Sequence, residues 1–285
     1  MRYFIFTWLT ALVFLSSCMS FNLTRKNVLF FDPSTTLAVS QESTDKTHDK
    51  ILLRFAIPQN NELKYVEKTQ IFMQIENDTG LETEFTRRIV ETYKDSGKDG
   101  VMIVKNESSL LENPDVTSVE EFEMTPQGEI LRCIYGLHKS KEGEISITEW
   151  KRSPVFPQEP VAPGDTWTYT ESIKMKLDSF WVSRKNDSPE TLTATSTFTG
   201  YATVNGKPCA VIESRTKQRK RETIGAFFKT IIMDVTVFGT DKLYFDYKAG
   251  VVIGMDVRAK IFSLAENGGF SDYTESQTIV TPSPQ

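Results

Sequence analysis

From Ile51 onward the chain runs as short segments that alternate apolar and polar residues, and no segment carries an apolar stripe at helical spacing for more than three turns. A period of two places successive side chains on opposite faces of a strand, so such a chain folds as sheet. The alternation is clear in ELKYVEKTQIFMQI, ETEFTRRIVETY, EISITEW, TLTATSTFTGYATV and KTIIMDVTVFG. Between the runs stand DSGKDG, PQG, APGD, NGKP, DYKAG and ENGG, rich in the Gly, Asn and Asp that tolerate the positive φ of tight hairpin turns. Short links favour antiparallel neighbours. The expected fold is therefore all-β or strongly β-rich: two similar antiparallel β units, as half-barrel, small barrel or sandwich, standing apart or merged into one.

The second expectation is an internal repeat. KYVEK is echoed by TYTES, which aligns Tyr65 and Glu67 with Tyr169 and Glu171; SGKDGVMIVKNES is echoed by VNGKPCAVIESR, and FEMTPQGEILR by LYFDYKAGVVIGM. The order is kept while the connections lengthen. SPVFPQEPVAPGD, with four of the chain's twelve prolines, reads as the joint. The expected organisation is an export signal over 1–17, a tether over 18–50, a first β unit over 51–152, the joint over 153–165 and a second β unit over 166–281.

At the N-terminus, Arg2 is followed by an almost unbroken apolar run to Leu15 and then Ser16, Ser17 and Cys18. A basic start, a short apolar stretch and small residues make an export signal, too short for a comfortable membrane span. The tetrad Leu15-Ser16-Ser17-Cys18 resembles the lipobox of bacterial lipoproteins. That resemblance implies cleavage before Cys18, acylation of its thiol (palmitate or similar chains) and a body held on an envelope membrane by lipid, since each buried methylene contributes ~0.8 kcal/mol. Met19 rather than Asp then favours the outer membrane, on its periplasmic or surface face.

Once the signal with Arg2 is removed, 32 Lys and Arg face 38 Asp and Glu, a net charge of −6, which excludes general nucleic-acid binding. With Cys18 acylated, Cys133 and Cys209 remain. In an oxidising compartment the two could form a disulfide; as free thiols inside apolar strands they would pack as small hydrophobes.

Gly164, Asp165, Trp167 and Tyr169 at the start of the second unit, and Phe245, Asp246, Gly250 and Val251 near its end, loosely resemble the motifs of duplicated β-rich envelope lipoproteins of unassigned function. More distantly the body is similar to the periplasmic lipoprotein-carrier superfamily, whose half-barrel encloses acyl chains and is capped by a helix. These are turn and core residues, so they imply a fold and no reaction.

Catalytic patterns are absent from the sequence. It has no G-x-S-x-G, G-x-x-x-x-G-K-[ST], G-x-G-x-x-G or H-E-x-x-H, and its two histidines are His48 in the tether and His138 in a segment, GLHKSKEG, that reads as a turn. Ser43 to Lys46 is an isolated S-x-x-K. Asp95 to Asn106 fits a hairpin better than a calcium loop, because Gly97 and Asn106 occupy ligand positions. Glu120, Glu121 and Glu123 read as a solvated strand face. Neither metal nor cofactor is expected, nor an enzyme.

One run joins charge to apolar bulk: Arg215, Lys217, Arg219, Lys220 and Arg221 precede Phe227 and Phe228. Arg219, Lys220, Arg221, Phe227 and Phe228 form a candidate membrane contact, basic residues for headgroups and rings for the acyl boundary; the alternative is a solvated hairpin leading into the core. For the whole protein two roles stand side by side. One is a binding module enclosing a lipid or acyl chain, with Phe180, Trp181, Phe227 and Phe228 near its mouth. The other is a structural or assembly module of the envelope with a filled β core and an apolar patch outside.

Overall fold

A closed ring of twelve antiparallel strands forms the body, and the computed structural model describes residues 37–43, 50–75, 80–140, 143–152, 155–179, 190–226, 229–266 and 271–283 of it. In chain order the strands are β1 (Val39–Ser43), β2 (Glu62–Ile75), β3 (Leu81–Asp95), β4 (Met102–Leu110), β5 (Thr117–Met124), β6 (Ile130–Ser140) and β7 (Gly143–Arg152). The remainder are β8 (Thr166–Ser179), β9 (Glu190–Val204), β10 (Lys207–Ala226), β11 (Lys229–Asp246), β12 (Val251–Ala265) and β13 (Ser271–Pro282). From β2 to β13 each strand pairs with the next, and β13 pairs back with β2 from Asp272↔Ile75 to Pro282↔Tyr65. The all-β expectation holds. Closure makes the fold a barrel rather than the half-barrel of the carrier superfamily, and no described residue is helical.

The two β units thus merge into one barrel, six strands each. The repeated segments fall at matching places. Tyr65 and Glu67 lie on β2 and Tyr169 and Glu171 on β8, all four buried; the SGKDG and VNGKP turns join β3 to β4 and β9 to β10; the PQG and DYKAG turns join β5 to β6 and β11 to β12.

Strand parity sorts the side chains. On β3, Phe85, Arg87, Ile89, Glu91 and Tyr93 are buried toward the lumen while Arg88 and Thr92 stay more exposed. The outer wall carries ion pairs along and across strands: Lys64 with Glu62 at 2.8 Å, Lys105 with Glu107 at 2.9 Å, Lys139 with Glu144 at 3.0 Å and Lys260 with Glu275 at 3.1 Å. A membrane-spanning barrel carries a continuous apolar band on its outer wall in place of such ion pairs. No described helix is long and apolar enough to cross a membrane.

One end of the barrel is plugged. Residues 51–57 cross it outside any long strand: Ile51 exchanges backbone hydrogen bonds with Val161 at 2.8 and 2.9 Å, Phe55 N–H donates to Pro126 O at 2.7 Å and Ala56 N–H to Gly250 O at 3.0 Å. Arg54 Nη1 donates to Pro157 O at 2.6 Å. The plug is therefore clamped between the two repeat-related turns. Both turns carry a glycine at positive φ, Gly128 at 85° and Gly250 at 69°, and a Cβ on Gly250 would lie 2.7 Å from the Ala56 nitrogen. Leu53, Phe55, Val155 and Phe156 pack there with Tyr169, Phe198 and Phe245; the Phe55 and Phe156 rings stack at 4.9 Å.

Within the stretch read as a tether, Val39–Ser43 forms β1, pairing with the lower end of β9 from Val39↔Val204 to Ser43↔Tyr201. Leu37, fully buried, joins Val204, Cys209, Val211, Tyr244 and Ile279 in an apolar strip on the outer wall. The apolar cluster Val28–Phe31 lies outside the described residues.

Gly250→Ala combines a strained φ with a backbone collision and should cost about 2–3 kcal/mol. Gly206→Ala, at φ 77° with nothing within 4 Å of its Cβ, meets only the first of these. Denaturant unfolding of both variants, with limited proteolysis of the plug, checks this: the Gly250 variant alone should become cleavable between 50 and 58.

Candidate functional site

Two places in the barrel concentrate chemistry, one inside and one outside. The inner one is a polar layer above the plug. Glu67, Arg87, Glu91, Glu120, His138, Arg152, Glu171 and Asp241 are all buried, so alternation has placed ionisable groups where most barrels of this kind carry aliphatic ones. The layer is largely tied together. Arg87 lies 3.5 Å from Glu67, Tyr93 OH donates to Glu91 at 2.5 Å, Trp150 Nε1 donates to Glu171 at 2.7 Å, and Arg152 Nη2 donates to Gly128 O at 2.7 Å. Ser196 and Ser214 share a hydrogen bond at 2.8 Å.

Three oxygens in this layer lack a hydrogen-bond partner: Tyr169 OH, Glu171 Oε2 and Asp241 Oδ1. Burial, reinforced by the carboxylates of Glu171 and Asp256, pushes Asp241 up to about 6. Burial likewise raises Glu67, with Arg87 and Thr69 pulling the other way, and holds Tyr169 well above the usual phenol range. Asp241, Glu91 and Arg152 border a cavity of about 70 Å³ that also touches Tyr65, Met255 and Val280. Opposite walls of the barrel meet at this one small space. Small-molecule sites occupy ~300–1,000 Å³, so at the level of these residues the lumen has no room for one.

The outer place is a row of aromatic rings crossing four strands. Phe238 on β11, Phe262 on β12, Tyr273 on β13 and Phe72 on β2 touch in sequence, with ring centroids 6.1, 5.0 and 6.4 Å apart. Lys217 on β10 lies over the Phe238 ring at 5.4 Å. Phe238 is 39% exposed, Phe262 45% and Leu264 54%, so this row looks outward. Leu264, Phe262 and Tyr273 also line a recess of about 440 Å³ together with Gln74, Arg219 and Asp234.

The candidate membrane contact divides in this geometry. Arg219 faces outward, 3.7 Å from Asp234, and Arg221 faces outward with its guanidinium on Glu266. Lys220, of the opposite parity, is turned inward onto Glu190 at 3.1 Å with a mostly buried side chain, so it belongs to no surface cluster. Phe227 and Phe228, like Phe180 and Trp181, lie outside the described residues. So does Cys18.

Other expectations are corrected by parity. His138 sits on β6 opposite Ser118 and is buried, not in a turn. Glu120 turns into the lumen, and Glu123 is bridged by Lys98 at 2.9 Å and Arg132 at 2.8 Å, so this cluster is no uniform solvated face. Asp95 to Asn106 is the hairpin expected, its Asp95 Oδ1 accepting Gly97 N–H at 2.8 Å. The disulfide left open is not formed. Cys133 and Cys209 are free thiols in separate clusters, one with Phe122 and Trp150, the other in the outer strip beside Leu37. Burial pushes the Cys209 thiol up to about 12, which keeps it protonated and inert.

The residues missed from sequence are Phe72, Phe238, Phe262 and Tyr273. A signal for some of them was present, because Phe262 shares its parity with Arg258 and Lys260, and Phe72 with Lys68 and Gln70. An aromatic on the polar parity of a strand is an exposed aromatic.

No family model matches the chain, and a search of curated proteins returns no match.

Asp241 supplies a pH test. Its folded value of about 6 exceeds the unfolded ~3.9, so between those values the folded state binds more protons and stability rises as pH falls. The gain from this group is complete near pH 3 and absent above pH 7, on the order of 2–3 kcal/mol. Asp241→Asn should flatten the rise of Tm between pH 7 and 4; an unchanged slope would assign it to other groups.

Proposed function

We propose that the protein is a lipid-anchored, non-enzymatic interaction module of a bacterial envelope, a filled barrel that meets its partner through its outer wall. The lipobox-like tetrad ending at Cys18 supports the anchor, and the charged outer wall supports a body standing in water beside the membrane. The observation carrying the rest is the contrast between the two candidate places. The lumen is plugged at one end, and the space beside the plug measures only about 70 Å³. The outer wall leaves Phe238, Phe262 and Leu264 exposed beside a recess of about 440 Å³. Exposed, clustered aromatics rimmed by polar groups mark interaction sites.

The alternative reading, an enclosed acyl chain, calls for a broad concave cavity lined with apolar side chains. At the level described, that space is occupied by Tyr65, Met255, Ile212 and the plug residues Phe55 and Val155, with the charged layer beside them. An acyl chain would have to displace both the plug and buried ionisable groups. The outer-wall reading needs no rearrangement.

Two outcomes are expected. Native mass spectrometry of the full chain, exported as Cys18→Ala, should give the bare polypeptide mass; a stoichiometric extractable lipid would overturn the filled-barrel reading. A photo-reactive residue at position 238 of the wild-type chain, irradiated in intact cells, should form a discrete adduct that position 195, on the outside of β9, does not. Adducts at both positions, or at neither, would contradict a specific outer site.

A further inference from the structure

The recess beside the aromatic row has a composition that narrows what can bind there. It is lined by the apolar Phe262, Tyr273 and Leu264 and by polar groups that include Arg219, Asp234, Asp272 and Gln74. At about 440 Å³ it has the size of a small-molecule site, whereas a specific protein interface needs a broad surface of ~800 Å² per partner.

Charge narrows the choice further. Arg219 lies 3.7 Å from Asp234, Arg221 pairs with Glu266, Lys260 lies 3.1 Å from Glu275, and Arg258 lies 3.2 Å from Asp256. Tyr273 OH donates to Glu275 at 2.6 Å, which fixes the ring against the wall. Each of these cations has a carboxylate beside it and Lys217 lies over the Phe238 ring, so a phosphate or anionic headgroup would have to compete with contacts already made. A purely apolar chain would strip water from the rim's guanidinium, carboxylate and amide, at a cost for each group it desolvates. The occupant that matches is neutral, has one face of C–H groups to lie on the electron-rich ring faces, and carries hydroxyls around its edge. Hydroxyls both donate and accept, and the rim offers both: Arg219 and Gln74 as donors, Asp234 and the Gln74 carbonyl as acceptors.

We infer that this recess binds a neutral saccharide, with Phe262 and Tyr273 as stacking platforms and Arg219, Asp234 and Gln74 as the hydrogen-bonding rim. The inference deepens the outer-wall reading and rests on it. Tyr273 is set in register opposite both Phe262 and Gln74, so the platform and one rim group are held by three neighbouring strands of a closed sheet and are formed before any ligand arrives.

Maltohexaose, cellohexaose and chitohexaose serve as neutral probes, each titrated against the full chain in phosphatidylcholine nanodiscs and read by saturation-transfer NMR. At least one should bind with a Kd at or below about 1 mM, with transfer strongest to its C–H face protons. Phe262→Ala should weaken that binding by about tenfold or more. Because Phe262 is an outward side chain, its loss should leave the unfolding midpoint close to wild type; Arg219→Gln, which keeps donors but removes the charge, should retain most of the affinity.

Three results overturn the inference: no transfer to any of the three sugars, equal binding by the Phe262→Ala variant, or stronger binding of a sulfated saccharide than of a neutral one. If the sugars fail while position 238 still forms its specific adduct, the saccharide falls and the outer-wall reading stands. If both fail, both fall.

Discussion

The pairing of β13 with β2 is the contact on which everything else in this molecule depends. Eleven meander pairings would leave a curved sheet with two bare edges, each a row of unpaired backbone groups open to other chains. The last pairing, which brings Thr278 within 2.9 Å of Thr69 across 209 residues of chain, removes both edges at once. It also separates an inside from an outside, and every later property of the fold is a statement about which of the two a side chain occupies.

Twelve strands enclose more space than the eight whose inward side chains just fill a barrel. Among the described residues this chain occupies the extra space at the plugged end in two ways. Residues 51–57 and 155–161 fold back across one end and contribute Leu53, Phe55, Phe156 and Val161 to the interior. Above them, long polar side chains take the place of aliphatic ones, and the acids outnumber the arginines: Glu67, Glu91, Glu120, Glu171 and Asp241 against Arg87 and Arg152. Buried ion pairs add little net stability, because desolvation offsets the attraction. They do make mispacking costly, since a shift of register would strand a charge. The echoed segments place Tyr65 and Glu67 on β2 and Tyr169 and Glu171 on β8, all four buried. The halves differ in detail: Tyr65 OH donates to Val252 O at 3.0 Å, whereas Tyr169 OH has no partner.

Alternation and turn chemistry are local, so the strands, the hairpin at Gly97 and the repeated segments were legible from sequence. Closure was not, because the β13 to β2 register has no local signature. Nor was the plug, in which Phe55 and Ala56 donate their N–H groups to Pro126 O and Gly250 O. Errors at the site came from reading composition where parity decides. The basic run reads as one patch, yet Arg219 and Arg221 point out while Lys220 points in. The polar neighbours of His138 suggest a turn, yet β6 runs on to Ser140 and the histidine sits on its inward parity. The outer aromatic row assembles from β2, β11, β12 and β13, strands that only closure brings together.

The central claim is that binding belongs to the outer wall and not to the lumen, and a fluorescent fatty acid tests it most directly. Titrated with the full chain bearing Cys18→Ala, 11-(dansylamino)undecanoic acid should show no saturable one-to-one fluorescence gain that oleate can reverse. Stoichiometric, oleate-competed binding that survives replacement of Phe238 and Phe262 by Ser would place an acyl chain inside the barrel and contradict the account.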